Sequence, residues 1–208
     1  MAARLASHIA LAAEPHTADW LPRVGNGVTL RRLAVADLAA FQAYRHDVEV
    51  GRYQGWLPVT DAEASAFLAE MHTAALLKPG VWCQIGMAEA DGLALIGDIG
   101  LLLAADGRQV EIGFSLRRKS QGHGLATAAV RAALQLVFEH SAAVRVVGIT
   151  DARNAASIRL LERVGMQRVA TAETVFRGEQ CVELTYAVAR SVNGDALQSD
   201  LDSSIHRG

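Results

Sequence analysis

Cysteine is almost absent from the 208-residue chain: Cys83 and Cys181 are the two it has, far apart and inside apolar runs. That spacing suits neither a CxxC redox pair nor a zinc site, so both read as buried free thiols in a reducing compartment, and a cytoplasmic protein is expected. Neither charge sign dominates. A formal net charge of -2 and a pI near 6.4 argue against a general nucleic-acid binder, whose basic excess would be evident, so any basic patch has to be local. No run of about eighteen apolar residues occurs, so no membrane span is expected. The seven histidines are scattered without ligand spacing, and no metal is expected. No internal repeat is visible. The alanine-rich start, MAARLASHIALAAEPH, has a short apolar run broken by His8 and a poor cleavage context, which reads as an extension and not a signal peptide.

About half of the residues are hydrophobic (51%), enough for one domain with a real core. The chain is organised around Val110–Phe138. Val110, Ile112, Phe114 and Leu116 alternate with Glu111, Gly113 and Ser115 as in a half-buried strand, and the pattern stops at Arg117, Arg118 and Lys119. From Leu125 the apolar positions switch to helical spacing, through Ala128, Ala129, Ala132, Ala133, Leu136 and Val137. Between them lies Gln121-Gly122-His123-Gly124-Leu125-Ala126. A helix start leaves its first amide hydrogens unpaired and carries partial positive charge, so strand, small-residue turn and helix together form an anion cradle, with phosphate as the natural guest.

The rest of the chain falls into place around that unit. Residues 1–25 read as an N-terminal extension ending at Gly25-Asn26-Gly27, residues 26–190 as the domain, and 191–208, rich in Ser, Asp, Gly and Asn without apolar period, as a disordered tail. Val28–Leu33 alternates like a first strand, and a helix follows through Arg45. The segment from Gly51 to Pro58 is aromatic and aperiodic, a loop suited to lining a cleft or packing over an edge. Thr60 and Glu63 resemble a capping box opening a helix that ends near Leu77. Three strand-like runs, 81–89, 95–103 and 109–116, predict an antiparallel meander. Val144–Thr150, after the central helix, should lie parallel to the last of them through a right-handed crossover. A helix opening at Asn154 and stopping at Gly165, then a hairpin around Arg177-Gly178, complete the order.

At this point the chain resembles the GNAT superfamily of acetyl-CoA-dependent N-acetyltransferases, and within it the branch of ribosomal-protein alanine acetyltransferases of the Rim type. The superfamily's pyrophosphate motif is met by Gln121, Gly124 and Ala126. Asn154-Ala155-Ala156-Ser157, followed by Leu161-Glu162-Arg163-Val164-Gly165-Met166, resembles a second block of the branch, and the front end TLRRLAVADLAAF with GWLPVTDAEASAFL also fits. The resemblance covers roughly residues 28–189. It implies an α/β (α+β) fold: a single GNAT-like domain whose mixed central sheet of about seven strands is flanked by about four helices.

The implied function is transfer of an acetyl group from acetyl-CoA to a primary amine, a protein N-terminus or a small molecule, by direct attack on the thioester. The expected cofactor contacts are Phe114, Ser115 and Leu116, whose strand edge would pair with the pantetheine amides, and Gln121, Gly122, His123, Gly124, Leu125, Ala126 and Thr127 around the pyrophosphate. Gly124 should tolerate no bulk. Asn154 could cap its helix or bond the pantetheine arm, and the resemblance favours the arm. Glu111 is the candidate general base, with a structurally paired strand glutamate as the alternative; Asp98 and His46 are secondary candidates. Ser157 matches the branch's helix serine, which the resemblance implies sits near the cofactor sulfur and protonates the leaving thiolate; orienting the thiolate or capping the helix is the other reading. Many members use a tyrosine four residues further along this helix; Leu161 stands there. Thr127-Ala128-Ala129 departs from the branch's usual Thr-Glu-Ala.

Tyr53 and Trp56, with Tyr44, are candidates for the acceptor pocket, ordinary packing being the other reading. The expected partners are acetyl-CoA and an amine, with no nucleic acid or membrane and with a homodimer left open. Two alternatives stay open: a non-enzymatic acyl-CoA-binding sensor without competent acid and base, and an acetyltransferase specific for an aminoglycoside-like amine. A dinucleotide-binding fold fits less well, because the third small position of its fingerprint is Thr127 and the unit lies behind a meander.

Overall fold

The computed structural model describes residues 20–190 apart from Gly92. Residues 1–19 of the expected extension, and the whole of the expected disordered tail at 191–208, lie outside the described residues. Eight strands form one sheet: β1 (Arg23–Gly25), β2 (Val28–Arg31), β3 (Trp82–Glu89), β4 (Leu95–Leu103), β5 (Gln109–Leu116), β6 (Arg145–Asp151), β7 (Gln167–Phe176) and β8 (Glu179–Ala189). Their order is β1-β2-β3-β4-β5-β6-β8-β7. Neighbours are antiparallel except β5 and β6, which run parallel on either side of a helical crossover. Among the described residues five α-helices flank the sheet: α1 (Leu38–Arg45), α2 (Val48–Gly51), α3 (Asp61–Thr73), α4 (Leu125–His140) and α5 (Ala155–Arg163).

The differences from the sequence-based expectation are local. The eighth strand is β1, three residues in the segment read as lead-in, which turn back on β2 at Asn26-Gly27. The fifth helix is α2, a single turn whose N-cap Asp47 accepts the Glu49 amide at 3.1 Å. α3 stops at Thr73, four residues early, because Ala74 is already extended (φ -57, ψ 136). Its start is as expected: the Glu63 amide donates to Thr60 Oγ1 (3.3 Å) and the Thr60 amide donates to Glu63 Oε2 (2.9 Å), a reciprocal capping box. The closing hairpin turns on Arg177 (φ 52) and Gly178 (φ 82), the two left-handed residues that a tight hairpin turn needs.

Strand alternation divides the sheet into two faces. Ile85, Met87, Ile99, Leu101, Val110 and Ile112 face one way and pack with Ala129, Ala133, Leu136 and Val137 of α4. The opposite face, with Leu33 and Leu95, packs Phe41 and Tyr44 of α1 and Leu68 of α3. In β4, Ile96 is an extra residue, since Met87 pairs with Gly97 and Ala88 with Leu95. A bulge of this kind bends its strand and increases the local twist. Beside it, β5 closes tightly on Gly97: a Cβ there would stand 2.1 Å from the Ser115 carbonyl oxygen.

Gly97→Ala is therefore expected to lose about 3 kcal/mol in urea unfolding. Gly113→Ala, where a Cβ meets nothing within 4 Å, should stay within about 0.5 kcal/mol of the parent.

Candidate active site

β5 pairs with β4 over seven positions, Val110 to Leu116, and β6 pairs with β8 over seven, Arg145 to Asp151. Between β5 and β6 the register has three pairs and ends at Glu111 opposite Val147. Both strands continue, so past that point they part. The resulting narrow slot, about 50 Å³, is lined by Ile112, Gly113 and Phe114 of β5, by Gly148, Ile149 and Thr150 of β6, and by Tyr53, Gln54, Asn154, Ser157 and Leu161. A parted pair of strands leaves main-chain donors and acceptors facing the gap, a surface that an amide-bearing chain can join as a strand would.

At the end of β5 the chain makes a short turn, Arg118–Ser120, and reaches the cradle. Gly122 (φ 81) and Gly124 (φ 78) are both left-handed, and a Cβ on either would meet nothing within 4 Å. Gly124 is the N-cap of α4, and no side chain caps that end. At Gly124 the backbone conformation itself favours glycine, and the space outside it is open. Gln121, read as a phosphate contact, donates Nε2 to the Leu116 carbonyl at 2.9 Å and so ties the turn to the strand end. His123 is exposed, and Leu125, Ala126 and Thr127 are half-buried in the first turn of α4. Arg117 bonds Ser120 Oγ at 2.7 Å and pairs with Glu89; Arg118 pairs with Asp47 at 2.7 Å.

Glu111 projects from the face opposite Val110 and Ile112, half-buried, at the point where the strands part. Burial, and then the charge of Glu183 on β8, push its carboxyl above the usual glutamate value of 4.5. It is next to the slot and not among the residues lining it. Ser157 and Asn154 do line it, and Asn154 caps α5 by accepting the Ser157 amide at 3.1 Å. Leu161 is buried against Gly148, where a Cβ would come within 2.8 Å of it, so that position is taken up with packing.

A second opening, about 360 Å³, adjoins the slot on the α1 side; Tyr53 belongs to both, and Trp56 lines the larger. The loop carrying these aromatics is tied down from three directions. Gln54 Nε2 donates to the Phe114 carbonyl (3.1 Å) and Trp56 Nε1 to Ser115 Oγ (3.2 Å). Arg177 Nη2, from the distant hairpin turn, donates to the carbonyls of Gln54 (2.9 Å) and Trp56 (2.8 Å).

Beneath the cleft lies a buried polar group that sequence reasoning saw only in pieces. Asp98, 2% exposed, accepts from the Tyr44 hydroxyl and from Arg45 Nη2 (2.8 Å). Burial, then the Asp98 carboxylate, holds the Tyr44 phenol well above its ordinary range, so it stays a neutral donor. The Arg45 guanidinium also lies 4.3 Å from the Trp56 ring centroid. Asp98 and Tyr44 were singled out separately; Arg45 was missed because a lone arginine at a helix end carries no signal of burial.

The acetyltransferase (GNAT) domain model matches residues 28–167, and the chain belongs to that family. No curated protein matches the chain by sequence. Among solved structures, a GNAT-family acetyltransferase from Bacillus anthracis superposes with a TM-score of 0.71 at 21% identity, covering 80% of this chain and 96% of that one. RimL, a ribosomal α-N-protein acetyltransferase solved with coenzyme A, gives 0.70 at 14%, covering 81% and 97%. A spermidine N-acetyltransferase from Vibrio cholerae, solved with CoA and spermine, gives 0.66 at 18%, covering 78% and 95%. At these identities the likeness is one of fold. Among the described residues no helix is long and apolar enough to cross a membrane, and no group of metal-ligating side chains is assembled.

Arg45→Met should destabilise the fold by about 3–5 kcal/mol, because it strands the Asp98 charge. The double variant Arg45→Met/Asp98→Leu should recover much of that loss in the same denaturation assay.

Proposed function

We propose that the chain transfers an acetyl group from acetyl-CoA to a primary amine, with coenzyme A lying across the cradle and the parted strands. The observation that carries this reading is the coincidence of two features at one place: a helix start built on two left-handed glycines and a sheet that opens immediately beside it. The residues present fit the co-substrate. The open space outside Gly122 and Gly124 admits a pyrophosphate to main-chain amides, which a side chain would block. The slot beside Gly113 and Gly148 suits the pantetheine amides. The Phe114 carbonyl is held by Gln54, so entry of the arm exchanges one hydrogen bond for another at little net cost. Asn154, whose side-chain oxygen is spent on the α5 cap, has its amide hydrogens left for the arm.

Acetyl-CoA supplies an activated thioester carbonyl. The chain's residues have three tasks around it. Tyr53 and Trp56 position the acceptor in the larger cleft. Glu111, with its raised pKa, takes the amine proton through a bridging water, which its place just behind the slot permits. Ser157, which lines the slot, orients the departing thiolate by hydrogen bonding; a serine hydroxyl is too weak an acid for more. The Rim-type N-terminal acetyltransferases are the branch whose motifs the chain most resembles, and a protein N-terminus is the acceptor this favours.

Gly124→Glu should weaken acetyl-CoA binding by at least about a hundredfold in isothermal titration, through strain at a positive φ and charge placed against phosphate; unchanged affinity would remove the cradle from the reading. Glu111→Gln should lower kcat by about a hundredfold and abolish the acidic limb of the rate profile, with acetyl-CoA affinity unchanged. The same variant should unfold at higher denaturant than the parent at pH 7 and match it below pH 4.5. A raised carboxyl pKa means the folded state holds its proton more tightly, so that contribution is present at low pH and lost as pH rises through the folded-state value.

A further inference from the structure

The walls of the acceptor cleft are unusually rich in arginine. Arg45, Arg52, Arg153 and Arg177 line it, against Asp47 and Glu179 as the carboxylates among the described residues. Every aromatic wall already has a guanidinium near it: Arg45 lies 4.3 Å from the Trp56 ring, Arg52 5.5 Å and Arg153 5.9 Å from Tyr53, and Arg177 5.3 Å from Phe176. A ring whose quadrupole already meets a cation has little to offer a second one. Asp47 is engaged by Arg118 at 2.7 Å, while Glu179, its side chain 75% exposed, lies 3.6 Å from Arg153.

The arginines differ in how their charge is met. Arg45 is matched from below by Asp98, and Arg153 is held in a two-point pair by Asp151, with Nε at 3.0 Å and Nη2 at 2.7 Å. Arg177 is different. Its Nη2 hydrogens go to main-chain carbonyls, which accept hydrogen bonds and carry no net charge, so the positive charge stays in the cleft. Arg52, its side chain 61% exposed, has only Glu49 at 3.9 Å. Such a wall favours a carboxylate or phosphate, which a guanidinium binds through two parallel hydrogen bonds. It disfavours a polycation, which would bring like charge against Arg52 and Arg177 and meet, among the described lining carboxylates, just the exposed Glu179 besides the paired Asp47.

We infer that the acceptor is an amine bearing an anionic group, carboxylate or phosphate, close to the nitrogen, with Arg177 and Arg52 as the residues that read it. This rests on the acetyltransferase reading and narrows it away from polyamines and aminoglycosides. Two sources share the chemistry: the N-terminus of an acidic peptide and a small amine carrying a phosphate.

The test is thiol release from acetyl-CoA over matched acceptors. One arm compares the C-terminally amidated peptides Ala-Glu-Glu, Ala-Gln-Gln and Ala-Lys-Lys; the other compares phosphoethanolamine, ethanolamine and spermidine. In at least one arm kcat/KM should be about tenfold higher for the anionic member than for its neutral counterpart, and the arm that responds identifies the source. Arg52→Glu, which breaks no bond to the aromatic loop, should remove that preference through KM while acetyl-CoA affinity in titration is unchanged; Arg177→Gln should do the same. A flat panel, or preference for Ala-Lys-Lys or spermidine, overturns the inference and leaves the acetyltransferase reading standing. No turnover of any acceptor by protein that binds acetyl-CoA overturns both, in favour of an acyl-CoA sensor.

Discussion

Everything proposed for this chain depends on where strand pairing stops. β5 is held along its length by β4, β6 is held along its length by β8, and only three positions join the two half-sheets. Past Glu111, β5 stays in register with β4 to Leu116 and β6 stays in register with β8 to Asp151. Because each strand keeps its other partner, the opening costs few hydrogen bonds and is built into the fold.

The same geometry arranges the chemistry. The helix α4 starts directly after β5, so the cradle is at one end of the slot. Strand alternation puts Glu111 on the opposite face from the α4 core, at the point of divergence, where burial and Glu183 favour its protonated form. The aromatic loop lies over that face, pinned to Phe114, Ser115 and the far hairpin turn. The slot and the larger cleft thus share a wall at Tyr53, and the Tyr44–Asp98–Arg45 group lies beneath them. That group is costly to bury, and within it Arg45 Nε has no hydrogen-bond partner; in such a group removing one charged partner does more harm than removing both.

Much of the fold was legible in the sequence because its signals are local. The alternation from Val110 to Leu116, the switch to helical spacing after Gly124, the Thr60–Glu63 box and the Arg177-Gly178 turn each sit within a few residues, and each is found where the pattern put it. β1 was missed because three residues carry no period, and the early end of α3 because apolar spacing runs on past the last helical residue. The site was legible as a set of positions on strand, turn and helix. What joins them was not: the split depends on pairing between elements, the Arg45–Asp98 pair spans 53 residues, and the Arg177 tie to Gln54 spans 123. No motif records a contact made by tertiary packing.

The most direct test of the central claim is the structure of the chain with coenzyme A bound. The pyrophosphate should lie within hydrogen-bond reach of the main-chain amides between Gly122 and Ala126, and the pantetheine arm should run between β5 and β6 with the Gln54 side chain moved off the Phe114 carbonyl. Coenzyme A bound elsewhere, with the Gln54–Phe114 bond intact and the slot empty, would contradict it.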